Sequence, residues 1–281
     1  ADADATRRIA LGLGDMPGGA LVGTVMHGVF ECTDFAAPDL GAALEDALAQ
    51  ELTWHTVDLG DRGAVVAGLR AALEAPLGPL ADGIALRDVT RGDRLDELGF
   101  EIPLVGGDAP RAPLDLGAVA DLLEARLDPG DPVARYAPRL RDPALEGTLR
   151  GYLTGSLDLV LRMRDDRFVL ADYKTNRLGA PGETLSAWHY RPEALQAEMV
   201  AAHYPLQALL YEVALHRYLR WRLAGRYDPD RHLGGVLYLF VRGMSASEPA
   251  DVDGQPCGVW SWRAPAGLVE SLSDLFDRGV A

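Results

Sequence analysis

The chain has 281 residues, 48% of them hydrophobic, and a net charge of −15. That length can bury a sizeable core, no apolar run reaches the ~18 residues of a membrane span, and the charge argues against a general nucleic-acid coat while leaving room for a local basic strip. Two cysteines, Cys32 and Cys257, are too few for a four-cysteine iron–sulfur cluster or zinc site and are expected as free thiols.

Residues 1–17 are expected to be an extended lead-in; "ADADATRRIA" lacks a secretory pattern and an initiator Met, as in a piece excised from a longer chain. The stretch 19–33, "GALVGTVMHGVFECT", predicts a helix with His27 and Glu31 four apart on one face. Further helices are predicted over 39–51 and 61–75, the second closed by Pro76 and Pro79. A loop from 82 leads into a strand over 96–104. A helix over 114–127 then precedes the Pro/Gly/Asp-rich loop "LDPGDPVARYAPRLRDP". Two strands, 151–163 and 167–174, make a hairpin. Helices follow over 192–202 and 205–223, with Pro205 suited to a helix start. The run "GGVLYLFVRG" (234–243) reads as a buried strand, and a final helix covers 265–277. This order predicts an α/β fold with a mixed central β-sheet flanked by helices, plus an N-terminal helical portion. The whole of 1–281 is expected to be a single domain. Its parts are the lead-in, an N-terminal helical part with the first core strand (18–150), and the hairpin, helices and closing strand (151–281).

The hairpin "GSLDLVLRMRDDRFVLADYKTNRLG" (155–179) carries the chemistry. Of 27 basic residues, Lys174 is the only lysine, and Asn176 beside it is the only asparagine. Alternation puts Phe168, Leu170, Asp172 and Lys174 on one face of the second strand. The position of Asp158 depends on register. A two-residue turn at Asp165-Asp166 pairs Asp158 with Tyr173, facing away from Asp172. A three-residue loop, 164–166, or a bulge brings Asp158 and Asp172 to one side. A functional hairpin therefore predicts the odd loop or the bulge. Two neighbouring carboxylates repel, and a divalent cation relieves that cost. Mg²⁺ prefers oxygen ligands and takes one or two carboxylates, and an adjacent ammonium can orient a water or stabilise a charged phosphate. The pattern Asp…Asp-x-Lys on a hairpin thus suits phosphodiester hydrolysis.

A D-x-K after a strand, with an acid on the preceding strand, resembles the PD-(D/E)xK nuclease superfamily. The sequence "GSLDLVLR…FVLADYKTNRLG", followed by "YPLQALLYEVALHRYLR" and "HLGGVLYLFVRG", with "GTVMHGVFE" and "ELGFEIPL" earlier, is similar to the C-terminal nuclease domain of RecB, the helicase–nuclease subunit of the bacterial RecBCD recombination enzyme. The resemblance covers about residues 20–279 and is weakest over 34–90 and 105–145. It implies metal ligation by His27, Asp158, Asp172 and the carbonyl of Tyr173, with Lys174 as the catalytic lysine. It also implies Glu97 as an acid near the site, and Gln207 and Tyr211 as a Q-x-x-x-Y motif holding substrate or supporting the site. The implied cofactor is Mg²⁺, with Mn²⁺ or Ca²⁺ able to substitute in binding. The implied activity is exo- and endonucleolytic hydrolysis of DNA, mainly single strands, without sequence specificity, during double-strand-break processing and recombinational repair. Implied partners are a RecB helicase part, RecC-like and RecD-like subunits and a RecA-like recombinase. The implied setting is the bacterial cytoplasm at the nucleoid, with no membrane partner.

A basic strip also stands out. "HRYLRWRLAGR" carries Arg217, Arg220, Arg222 and Arg226, with Tyr218 and Trp221 interleaved, while Arg177 and Arg191 flank the catalytic loop. Arginines grip phosphates and aromatic side chains stack on unpaired bases, so this strip, Arg177, Arg191, Arg217 and Arg220 above all, is expected to bind DNA or a partner subunit. No G-x-x-x-x-G-K-[ST] occurs, so the chain lacks a P-loop motor. A rival is a non-catalytic protein/DNA-interaction module of the same fold, against which the intact Asp158, Asp172 and Lys174 speak. Cas4-like and AddB-like nucleases need cluster cysteines that this chain does not have.

Overall fold

In the computed structural model, which describes residues 3–105, 115–145, 151–246 and 250–278, one mixed sheet separates two helical layers. After α1 (Ala3–Arg8), which lies by the 3₁₀ turn Ala187–Tyr190, the first layer comes from α2 (Ala20–Cys32), α3 (Leu40–Trp54) and α4 (Arg62–Glu74). Then follow β1 (Arg94–Pro103), α5 (Leu116–Arg126), β2 (Tyr152–Arg162) and β3 (Phe168–Lys174). After them come α6 (Pro192–Ala201), α7 (Tyr204–Leu223), α8 (Pro229–His232) and β4 (Leu233–Phe240). A small ribbon of β5 (Asp251–Val252) and β6 (Gln255–Pro256) precedes β7 (Val259–Trp262) and α9 (Leu268–Arg278).

The strand order is β1-β2-β3-β4-β7. Only β3 and β4 run parallel, which requires the helical crossover through α6 and α7. Leu159, Leu161, Val169, Ala171, Tyr173 and Leu237 pack against α2–α4, while Leu170, Val236, Tyr238, Phe240 and Trp260 pack against α5, α6, α7 and α9. Both faces of β3 and β4 are therefore covered, which is why these strands read as nearly continuous apolar runs. Asp39 and Asp61 start α3 and α4 by accepting the N–H groups of Ala42 and Ala64.

The predicted α/β architecture is found, with corrections in detail. The lead-in is not extended: Ala3–Arg8 is a helix, and Ala10 bridges to Ser186. The helix expected over 114–127 is Leu116–Arg126, residue 114 lying outside the described residues, as do 1 and 2 of the lead-in. The Pro/Gly/Asp-rich loop contains a 3₁₀ segment, Ala134–Arg141, that buries Tyr136 and Leu140. The strand expected over 234–243 ends at Phe240 and turns into 3₁₀ backbone. That turn carries Arg242, 1% exposed, whose guanidinium donates to the carbonyls of Leu13, Met16, Pro17 and Thr175.

The sheet also contains an inversion. Leu157 of β2 and Leu98 of β1 face the α7 side, yet Leu159, two residues on from Leu157, faces the α2 side. Alternation with period two breaks at the facing pair Glu97 and Asp158, and Glu97 has the left-handed φ of +47°.

Candidate active site

The hairpin loop decides where Asp158 lies. Met163 N–H donates to Arg167 O (2.8 Å), and Asp166 N–H donates to Met163 O (3.0 Å). Asp166 has φ +65°. This is a three-residue loop, 164–166, with its last residue left-handed. The register Leu159↔Ala171 makes this the three-residue loop that the functional reading required, but the two carboxylates do not come to one side: Asp158 turns to Tyr173 and His27, whereas Asp172 faces α7 with Lys174. Beyond Leu159↔Ala171 the two strands part: β2 pairs only with β1 and β3 only with β4. The Asp158 carboxylate accepts the freed Tyr173 N–H at 3.0 Å.

His27 reaches this gap from α2. One ring nitrogen lies 3.0 Å from the Tyr173 carbonyl oxygen and the other 3.3 Å from Asp158 Oδ2. Glu97, turned by its left-handed backbone, completes a group. Among the described residues, ligand atoms of His27, Glu97 and Asp158 all lie within 4.8 Å of one another. Ser156 Oγ donates to Glu97 Oε2 at 2.7 Å. Asp172 does not belong to this close group. It faces α7, 2% exposed, with Lys174 Nζ 2.6 Å from its Oδ2. Gln207 Oε1 accepts from Lys174 Nζ (3.1 Å), and Gln207 Nε2 lies 2.7 Å from the Tyr211 hydroxyl. The site opens into a cleft of about 530 Å³ lined by Thr24, His27, Gly28, Glu31, Glu51 and Glu97.

The electrostatics favour a bound cation. Burial and the charge of Asp158 push the Asp172 carboxyl up, against the pull of Lys174 and His27. Burial lowers the His27 pKa, but the hydrogen bond and charge of Asp158, the charge of Asp172 and the Tyr173 carbonyl outweigh it and leave it raised. Two carboxylates, Glu97 and Asp158, meet a carbonyl and an imidazole, with the buried Asp172 carboxylate beside them, in a site with few internal cations. This oxygen-rich donor set with one nitrogen fits a hard divalent ion.

Other predicted residues lie elsewhere. Arg217 is not free for DNA: its guanidinium donates to Ser273 Oγ and O and to Pro103 O, and pairs with Asp277 at 2.7 Å. Its long stem crosses to α9 instead of reaching solvent. Arg177 binds the carbonyls of Gly179, Ala180 and Glu183 and so shapes its own loop. Arg191 lies over the Trp188 ring at 4.3 Å and pairs with Glu193. Arg220, Arg222 and Arg226 are exposed, and Trp221 beside them is 72% exposed.

Sequence reasoning missed two aromatic side chains at the site. Lys174 Nζ lies 4.2 Å from the Tyr204 ring centroid and 5.2 Å from that of Tyr238. Tyr204 stands three residues before Gln207, on the same helical face, and that spacing was the available signal. Tyr238 was hidden within an apolar run.

The profile of the PD-(D/E)XK nuclease superfamily matches residues 10–256, and the chain belongs to that superfamily. Within it the chain is similar to RecB subunits of the RecBCD enzyme. It is 47% identical over 274 residues to that of Mycobacterium tuberculosis, covering 95% of this chain and 24% of the relative. It is 47% identical over 264 residues to that of Mycolicibacterium smegmatis (93% and 24%), and 34% identical over 263 residues to that of Escherichia coli (92% and 19%). The chain thus spans at most about a quarter of the length of these relatives and is a RecB-like nuclease domain. No helix among the described residues is long and apolar enough to cross a membrane.

Proposed function

We propose that the chain hydrolyses DNA phosphodiester bonds with a divalent cation, Mg²⁺ by preference. The observation that carries this reading is the convergence of His27, Glu97, Asp158 and the Tyr173 carbonyl beside the buried Asp172–Lys174 pair. His27, Asp158, Asp172 and the Tyr173 carbonyl would hold the ion, with Glu97 flanking them. A bound Mg²⁺ supplies positive charge at the scissile phosphate and acidifies a water. The chain's own groups do the remaining work. Lys174 directs its ammonium at the phosphate oxygens where negative charge grows, or orients the attacking water. Gln207 aligns Lys174, and Tyr211 aligns Gln207. Asp158 holds the backbone of Tyr173, and with it the carbonyl, in place.

The substrate of this reading is DNA, mainly single-stranded, cut exo- and endonucleolytically without sequence preference. The exposed Arg220, Arg222 and Arg226 with Trp221 support it, since stacking and phosphate contacts tolerate any sequence. By analogy with its relatives, the chain would act beside a helicase part and RecC-like and RecD-like subunits, with a RecA-like recombinase as a further partner, in the bacterial cytoplasm. The test is digestion of end-labelled single-stranded DNA, with and without Mg²⁺, by wild type, Asp172→Ala and Lys174→Ala. Metal-dependent cleavage by wild type alone is expected. Equal cleavage by all three overturns the assignment of Asp172 and Lys174, and no cleavage by wild type with any divalent ion leaves a non-catalytic module.

A further inference from the structure

Lys174, the only lysine of the chain, has its ammonium surrounded on several sides. Asp172 Oδ2 and Gln207 Oε1 supply oxygen contacts at 2.6 and 3.1 Å, and the faces of Tyr204 and Tyr238 lie at 4.2 and 5.2 Å. These rings are themselves fixed. They stack with centroids 5.6 Å apart and an interplanar angle of 24°. Tyr238 is fully buried, and its hydroxyl lies 3.1 Å from Gln207 Oε1 and 3.2 Å from the Tyr204 carbonyl. The Tyr204 hydroxyl donates to Asn176 Oδ1 (3.1 Å), and Asn176 Nδ2 donates to Glu198 Oε1 (2.7 Å). The only asparagine of the chain therefore anchors the ring under the only lysine.

We propose that Tyr204 and Tyr238 form an aromatic seat that positions the Lys174 ammonium for the reaction, an inference that rests on the catalytic reading of Lys174. The four-carbon stem of a lysine is flexible, and Asp172 alone would draw Nζ into a closed ion pair. A ring face attracts the cation through its quadrupole without neutralising it, so the ammonium stays in place and keeps its charge for the substrate. The seat fits a compact ammonium. A guanidinium is planar and broad, and this gives a physical reason for a lysine here in a chain that otherwise uses arginine. Tyr204 and Tyr238 act through Lys174 and are positioning residues.

The experiment places ring-fluorinated phenylalanines of increasing fluorine content at position 204 of the full chain, alongside Tyr204→Phe and Tyr204→Leu. Cleavage of a labelled single-stranded oligonucleotide is followed with Mg²⁺. These rings are nearly isosteric, so the fold is held constant while the charge on the ring face changes. The expected result is a stepwise fall in kcat with fluorination, to about tenfold for the fully fluorinated ring, with KM unchanged. Tyr204→Phe is expected to lose less than Tyr204→Leu. Rates flat across the fluorinated series overturn the seat, as does an equal loss in the Phe and Leu variants, which would move the role to the hydroxyl and Asn176. Lys174→Ala separates the two levels. If it is inactive while the series is flat, only the seat fails; if it cleaves like wild type, the catalytic reading beneath it fails as well.

Discussion

The carboxylate of Asp158 accepts the backbone N–H of Tyr173 at 3.0 Å, at the step where β2 and β3 part. This contact is separable from the charge of Asp158. An Asp158→Asn protein keeps a side-chain oxygen for the Tyr173 N–H but loses the negative charge. We expect its melting temperature to stay near wild type, while Mg²⁺-dependent cleavage falls by about a hundredfold or more. Asp158→Ala should lose both, and calorimetry beside the cleavage assay distinguishes the two variants.

Glu97 sits at φ +47°, a conformation that costs a non-glycine residue about 1 kcal/mol. Glu97→Gly removes that strain together with the carboxylate. Its melting temperature should equal or exceed that of wild type, while cleavage falls by about tenfold. A variant that is both less stable and fully active would contradict a functional role for this strained residue.

Lys174→Arg keeps the positive charge and changes its shape. The guanidinium cannot occupy the space between Asp172, Gln207 and the two rings as an ammonium does. Cleavage should fall by about a hundredfold, close to the loss in Lys174→Ala.

Glu212 and His216 lie one turn apart on α7, and both are buried. Burial pushes the Glu212 carboxyl up to about 8 from its ordinary 4.5. The native chain then holds a proton that the unfolded chain releases, so stability falls as pH rises from about 4.5 to about 8. Burial, helped by Arg220 and Arg217, pushes His216 down to about 4 from 6.5. There the unfolded chain binds the extra proton, and stability falls as pH drops from about 6.5 to about 4. Glu212→Gln should remove only the alkaline limb. Between pH 6.5 and pH 8, where the His216 limb is already complete, the melting temperature should fall by ~4 °C less in the variant than in wild type.

Arg217 links α7 to α9 and to the end of β1. Arg217→Ala should cost ~2 kcal/mol of stability in chemical denaturation and leave the salt dependence of single-strand binding unchanged. Arg220→Ala should do the reverse, with wild-type stability and a shallower salt slope by about 1.

Those two arginines mark where the sequence stops being legible. They lie three apart in the same motif, yet one crosses to another helix and the other faces water. A long stem can do either, and composition does not say which. Helices α2, α3 and α4 and the strands of the hairpin were legible because their periodicity is strong. So was the 164–166 loop, because a carboxylate pair demanded one register out of two. The strand Val259–Trp262 was too short to carry a period of its own, and Ala134–Arg141 looked like loop because prolines and aspartates mask a turn that buries Tyr136. The exchange of faces at Glu97 and Asp158 defeats counting in twos, since it arises from one left-handed residue and not from any change in hydrophobic pattern. It also brings Glu97 to His27 and Asp158, where the spacing of β1 alone gave no reason to place it.

The guanidinium of Arg242 joins three carbonyls of residues 13–17 to that of Thr175, the residue after Lys174. The segment at 13–17 and the backbone one residue beyond Lys174 are thus tied through a single side chain.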